Sequence, residues 1–238
     1  LSLHDALPIS RTGRTRDGIP YLQDGLRLLP KMPLAQYSLG LALLTENRRS
    51  EALAALDKAI ELDAGNGEAY RTRGLAYVMD GQFDKAVDDL RAASTIDSDN
   101  YKAIIELGMN FGIAARDQQA ARLFEIAAES APTVALPQYL YGHFLINHRA
   151  FERGLSYVDR ALAIDPLQAE HHVGRGFGLL GQGRIEEAVA AYRRAGELDP
   201  GSAGIAGTLL FALQHKPGVT RGELLREHQR WAMLYRPS

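Results

Sequence analysis

The sequence predicts an all-α protein, a solenoid of short helix-turn-helix repeats, and three observations carry that prediction. Five glycines, Gly40, Gly74, Gly108, Gly142 and Gly176, stand 34 residues apart. A fixed period of this size is the signature of a repeat array. Small residues follow each glycine at constant offsets. Twelve residues on come Ala52, Ala86, Ala120, Gly154 and Ala188, and seven further come Ala59, Ala93, Ala127, Ala161 and Ala195. Between the two sets sits a bulky residue: Leu56, Leu90, Phe124, Val158 or Tyr192.

Each element follows from this register. Shifting the fourth repeat back by four periods lays Gly154 on Gly18, Tyr157 on Tyr21, Val158 on Leu22 and Pro166 on Pro30. Residues 14–30 therefore read as the second helix of an earlier repeat. In each complete repeat the glycine belongs to a first helix, where it costs about 1 kcal/mol relative to alanine. Five such costs in register imply that a second helix approaches closely there. The small residue twelve positions on fills the facing place, the bulky residue is the core knob, and the second alanine lets the next repeat dock. Flanking each glycine are Leu39, Arg73, Leu107, Tyr141 or Arg175 just before it, and Leu43, Tyr77, Phe111, Leu145 or Leu179 three residues after it. Turn signals at Asp80-Gly81 and Gly181-Gln182-Gly183 separate the helices of a pair. Pro132, Pro166 and Pro200 stop the second helices, with Ala64 and Ser98 in the same register. Residues 203–215 carry the first helix of a sixth repeat, with Leu210 where glycine stood. Lys216-Pro217-Gly218 ends the pattern. Thr220 and Glu223 then form a capping-box pair for a last helix. Its apolar face holds Leu224, Leu225, Trp231, Leu234 and Tyr235, with His228 among them.

This pattern resembles the tetratricopeptide repeat. The likeness implies a right-handed superhelix with five complete repeats over residues 33–200, a partial repeat over 11–32, and a half repeat with its break over 201–219. The family's early aromatic appears only as Tyr70, with Gln36, Ile104, Gln138 and His172 in the other repeats. His172 is thereby expected to pack in the core, and Gly154, in place of an alanine, to loosen the fourth repeat.

The same resemblance implies that first helices line a concave groove holding a protein or peptide ligand. Residues three before each glycine are Tyr37, Arg71, Ile105, Tyr139 and Val173; those one after are Leu41, Leu75, Met109, His143 and Phe177. Five after come Thr45, Met79, Ile113, Asn147 and Gly181. From these, Tyr37, Arg71, Ile105, Met109, Tyr139, His143, Asn147 and Phe177 are the candidate partner-binding residues. Tyr139, His143 and Asn147 lie one turn apart on one helix, and such a stripe suits an extended or helical peptide. A carboxylate clamp of lysines and asparagines is not expected, because Tyr37 and Leu41 stand at its first positions.

Both ends of the chain depart from the register. Residues 1–10, with Leu1-Ser2-Leu3-His4-Asp5-Ala6-Leu7-Pro8-Ile9, resemble an in-frame translation of a sequencing-library adapter, so native sequence is expected to begin near Ser10 or Arg11. Near the other end, Leu209-Leu210-Phe211-Ala212-Leu213, a Pro-Gly break, Glu223-Leu224-Leu225 and Glu227-His228-Gln229-Arg230-Trp231-Ala232 are similar to the junction before the catalytic domain in bacterial protein O-linked N-acetylglucosamine transferases of the SPINDLY-like family. That resemblance implies a parent nucleotide-sugar glycosyltransferase whose catalytic residues lie beyond Ser238. It also implies that residues 220–238 are a linker helix docking through Leu225 and Trp231. The family's asparagine ladder is missing: its positions hold Ser38, Thr72, Glu106, Leu140 and Gly174. The alternatives are a stand-alone scaffold or the repeats of another enzyme, such as a sulfotransferase.

Composition narrows the classes. A formal charge of −2 over 238 residues gives no basic surplus for nucleic acid. There are no cysteines, which removes disulfides and thiolate-held metals and fits a reducing cytoplasm. No apolar run reaches the roughly 20 residues of a membrane span. Neighbouring His171 and His172 point about 100° apart on a helix and cannot share a metal. Gly174, Gly176 and Gly178 form a G-x-G-x-G string, but it sits mid-helix and follows no strand, so it is no phosphate loop. Glu186, Glu187, Arg193 and Arg194 read as a solvated helix face. Neither a catalytic residue nor a cofactor site is expected within these residues.

Overall fold

The computed structural model describes residues 15–234; the adapter-like segment 1–10, the first four residues of the expected partial repeat and Tyr235, expected on the last helix, lie outside the described residues. Among the described residues there are thirteen α-helices, a single-turn 3-10 helix at Ser98–Asn100, and no strand. The helices are α1 (Thr15–Leu28), α2 (Pro33–Thr45), α3 (Arg49–Leu62), α4 (Gly67–Met79), α5 (Phe83–Ile96), α6 (Tyr101–Ile113), α7 (Asp117–Ser130), α8 (Ala135–Asn147), α9 (Phe151–Ile164), α10 (Ala169–Gly181), α11 (Ile185–Leu198), α12 (Ala203–Gln214) and α13 (Arg221–Leu234). The chain forms two compact units, one ending at Ser130 and the other beginning at Ala131. In the first, α1 packs on α2, and α2/α3, α4/α5 and α6/α7 are helical hairpins. In the second, α8/α9 and α10/α11 are hairpins, α12 lies on α11, and α13 lies on α12. This is an all-α helical repeat array.

The turn inside every hairpin is the same device. Asn47, Gly81, Ala115, Arg149 and Gly183 all have φ between 55° and 76°. Each is the left-handed residue that ends a first helix. The next residue closes a six-residue ring back onto that helix: Arg48 N–H to Leu43 O at 2.8 Å, Gln82 to Tyr77 at 2.9 Å, Arg116 to Phe111 at 2.9 Å, Ala150 to Leu145 at 2.9 Å and Arg184 to Leu179 at 2.9 Å. The bulky residue three after each repeat glycine is thus the anchor of the turn. At the other end of several hairpins an aspartate satisfies the freed backbone. Asp63, Asp97 and Asp165 each accept an amide two residues on, at 3.0–3.2 Å.

The repeat glycines are where second-helix knobs land. A Cβ on Gly40 would come within 2.6 Å of Leu56 Cγ, on Gly74 within 3.2 Å of Leu90 Cγ, and on Gly176 within 2.5 Å of Tyr192 Cε1. Real Cβ atoms tolerate almost none of these approaches, so the cost of glycine in the helix is offset by core burial of the knob. In the fourth repeat the knob is only Val158, and the backbones themselves close the gap. A Cβ on Gly142 would lie 2.7 Å from Gly154 O, and one on Gly154 would lie 2.8 Å from Gly142 O. Gly154 therefore does not loosen this hairpin. It permits a backbone approach that alanine would block.

The glycine string on α10 has the same cause. Gly174 faces Tyr139, Gly176 faces Tyr192, Gly178 faces Leu155, and Gly181 faces the ring of Phe151, so α10 is glycine-rich because three neighbouring helices press rings and branched chains onto it. Polar ties reinforce the stack. Arg73 reaches buried Asp89 with two nitrogens, at 2.8 and 2.6 Å, and Asp57 with a third at 2.8 Å. Arg175, at the same repeat position, bonds Asp159 at 2.8 Å. A buried bidentate pair satisfied on both sides is costly to break from one side, because a desolvated carboxylate is left behind.

The last helix folds against the array. Leu224 and Val219 pack on the apolar cluster that includes Leu209, Ala212 and Leu213. The indole Nε1 of Trp231 lies where a Cβ on Gly207 would be 3.4 Å away. Thr220 Oγ1 accepts the Glu223 amide at 3.2 Å, which is one half of the capping box. The Glu223 carboxylate is drawn away from the other half, to Arg193 of α11 at 2.6 Å.

Candidate functional site

First and second helices differ in charge, and the difference is sharpest in the unit that begins at Ala131. Helices α9 and α11 carry nine charged side chains, among them Glu152, Arg160, Glu186 and Arg194. Helices α8, α10 and α12 carry two, Glu170 and Arg175, and Arg175 is turned to Asp159 of α9. Because α10 touches both α8 and α12, the three first helices form one nearly uncharged surface.

On that surface Phe177 is 45 % and Phe211 57 % exposed. Phe211 was not among the sequence-derived candidates. It stands one residue after Leu210, in the register of Leu41, Met109 and Phe177, and the missing glycine of the sixth repeat hid the equivalence. Asn147 is exposed, and its side-chain amide lies 3.3 Å from Nδ1 of half-buried His143. Donation from Asn147 makes Nδ1 the acceptor of a neutral imidazole. Burial holds His143 below the usual histidine range, which keeps that neutral form.

Tyr139 has a double role. Its ring fills the space above Gly174, where a Cβ would meet Cε2 at 2.8 Å. It also stacks on His171 with centroids 4.7 Å apart, and lies 5.7 Å from His143. It packs α8 against α10 and presents only its remainder to solvent. The buried histidine of the adjacent pair is His171, 5 % exposed, and not His172, which hydrogen-bonds Pro166 O at 2.9 Å near the surface. The expectation of a core His172 is corrected accordingly: rotation of α10, set by Tyr139 on Gly174, turns the first histidine inward.

In the unit that ends at Ser130, Met109, Met79 and Ile113 are exposed on first helices. Tyr37 is half-buried against Ala59, Ile60 and Ala69. Arg71 is half-buried and ion-paired with Glu68 one turn before it. Ile105 is corrected from a face residue to a core residue, at 7 % exposure. Leu225 and Trp231 likewise do not share a free face. Leu225 is 57 % exposed while Trp231 lies on Gly207, because docking through the indole turns the two residues to different sides of α13. Among the described residues no group of histidines and carboxylates could hold a metal ion, and no helix is long and apolar enough to cross a membrane.

Comparison with known proteins bears on the repeat fold. The chain is 27 % identical over 120 residues to anaphase-promoting complex subunit 3 of Schizosaccharomyces pombe, which covers 50 % of this chain and 18 % of that protein. It is 25 % identical over 177 residues to a lipoprotein NlpI homolog of Haemophilus influenzae, covering 73 % of this chain and 56 % of that protein. The chain thus spans from under a fifth to about half the length of these relatives. The C-terminal part of a TPR repeat-containing protein from Cytophaga hutchinsonii matches 98 % of this chain and 95 % of its own, with a TM-score of 0.62 and 13 % identity, and so shares the fold. The tetratricopeptide repeat family model matches residues 10–67, 42–101 and 142–203, which together take in more than half of the sequence, and the chain belongs to the tetratricopeptide repeat family.

Proposed function

We propose that this protein is an interaction scaffold that captures a peptide segment on its first helices, with α8, α10 and α12 as the principal face. The observation that carries the reading is the pair Phe177 and Phe211, exposed on a three-helix surface whose one unpaired charge is Glu170. Exposed aromatics on a surface without charge cost solvation, and burial in a partner recovers it. His143 and Asn147 stand beside them as polar contacts. The first relative named above is itself a subunit of a multi-protein complex, which suits a scaffold.

Panning a random peptide phage library on the whole chain tests this. Enriched peptides should be apolar at two positions. Phe177→Ala with Phe211→Ala should weaken them about tenfold while the melting temperature stays within a few degrees, because Phe211 is 57 % and Phe177 45 % exposed, the latter touching the buried Tyr192 ring only edge-on. Undiminished binding by the double variant would move the site elsewhere.

A second reading attaches the array to a nucleotide-sugar glycosyltransferase domain; Leu225 and Met233 stay exposed on α13 and are open to any cover, while the return of α13 onto the array through Trp231 on Gly207 suits a stand-alone scaffold. Sequencing the source DNA past the codon for Ser238 tests it. An open frame encoding a two-lobed glycosyltransferase supports the role of recruiting arm, and an immediate stop codon removes it.

A further inference from the structure

The second unit contains a hollow of about 380 Å³ at the N-terminal ends of α8 and α10, walled by Ala135, Leu136, Tyr139, Asp165, Gln168, Glu170 and His171. This size is near the lower end of the range for ligand pockets and has room for one long side chain. Its wall carries two carboxylates and no lysine or arginine. Neither carboxylate has an ion-pair partner among the described residues, although Asp165 Oδ1 accepts the Leu167 amide at 3.2 Å. His171 is almost fully buried there, with Nδ1 3.3 Å from Asp165 O and its ring against Tyr139.

The chain holds an internal reference for what such a place binds. Three periods earlier the same positions are Leu34, Tyr37, Asp63 and Glu68, so aromatic, aliphatic and both acidic residues recur. Asp63 Oδ1 accepts an amide two residues on, as Asp165 does. There, however, Glu68 is answered by the guanidinium of Arg71. The residue three periods after Arg71 is Val173. The second copy has kept the acidic and aromatic groups and lost the cation.

We propose that the hollow between α8 and α10 is a socket for an arginine or lysine side chain of the bound peptide, which pairs with Glu170 as Arg71 pairs with Glu68 in the first unit. The aliphatic stem lies along Leu136 and the Tyr139 ring, and the charged head meets Glu170 and the Asp165 side of the turn. Arginine suits the site better than lysine, because a planar guanidinium stacks on an aromatic face and bonds a carboxylate at once. The inference rests on the peptide-capture reading and adds one requirement to it, a basic residue in the ligand.

The probes are N-acetyl-arginine amide and, as an uncharged control, N-acetyl-norleucine amide, titrated into the whole chain while the His171 ring proton resonances are followed by NMR. The arginine probe should shift His171 and the control should not. Glu170→Gln, a substitution at an exposed site, should weaken the arginine probe about two- to fivefold. Val173→Arg should abolish its binding by supplying the cation from the chain itself. Should that variant fold poorly, the Glu170→Gln titration decides alone. Equal shifts with both probes, or an unchanged titration in Glu170→Gln, would overturn the socket. Loss of library peptides in the Phe177/Phe211 variant combined with no arginine preference would leave peptide capture standing and remove this inference only.

Discussion

At the scale of single residues, the glycines separate into those a neighbour occupies and those in open space, and the two classes should respond oppositely to alanine. A methyl on Gly176 meets the fully buried Tyr192 ring at 2.5 Å. Gly176→Ala should therefore destabilise by about 1–3 kcal/mol, the usual cost of overpacking. Gly112 also sits in a helix, α6, but nothing lies within 4 Å of a Cβ there. Gly112→Ala should stabilise by about 0.5–1 kcal/mol through the unfolded chain and helix propensity. Urea titration of both variants checks the pair, and a shift of the same sign in both would refute the packing account. The hairpin turns give a third case. Ala115 adopts φ 55° where Gly81 and Gly183 sit in the same register. The left-handed region costs a residue with a Cβ about 1–2 kcal/mol, part of which glycine gives back in chain entropy. Ala115→Gly should raise stability by about 0.5–1 kcal/mol, read as a higher urea midpoint; an unchanged or lower midpoint would mean that the turn carries no such strain.

At the scale of elements, the joint between α8 and α10 is a pH-sensitive contact. Burial holds His171 and His143 below the ordinary histidine pKa, with the neighbouring carboxylates of Asp165 and Glu170 opposing this at His171. Both groups bind a proton more readily in the unfolded chain, so stability rises with pH through this range. It is fully present above the unfolded histidine pKa of about 6.5 and is lost as pH falls through and below it. The melting temperature should accordingly drop between pH 7.5 and pH 5.5, and the drop should shrink in His171→Gln. An identical drop in that variant would place the sensitivity elsewhere. The same joint shows why Tyr139 is a poor choice for a clean binding mutation. Its ring fills the room above Gly174, so truncation would open a void and lower stability, whereas Phe177 and Phe211 can be cut back at little structural cost.

Across the whole molecule, stability is local, because each hairpin is held by its neighbours and arrays of this kind unfold in approximately nearest-neighbour fashion. The end of the array is its weakest described part, since α13 contains no buried residue and is held by Trp231 on Gly207, Leu224 on the α12 cluster and Glu223 on Arg193. Trp231 is the sole tryptophan, so its fluorescence reports this end alone while far-UV circular dichroism reports all helices. The fluorescence transition in urea should precede the circular dichroism transition. Coincident curves would show that α13 unfolds together with the rest as one cooperative unit.

The 34-residue register in the sequence determined the helical hairpins, the glycine positions and the knob that meets each glycine. These depend on which residues are small, bulky or turn-forming, and spacing along the chain carries that information. Even Phe211 was legible by register once Leu210 is counted in the glycine position. Tertiary structure decided what spacing cannot encode, namely the rotation of each helix about its own axis and the depth to which neighbours interlock. His171 rather than His172 is buried because Tyr139 seats on Gly174; Ile105 turns into the core while Met109, one turn on, stays outside; and Gly154 tightens its hairpin because a small valine knob leaves room for two backbones to meet. The first and last of these are contacts between residues from different helices. A rotation of a few tens of degrees exchanges which of two adjacent side chains meets water, and only the packed neighbours fix that angle.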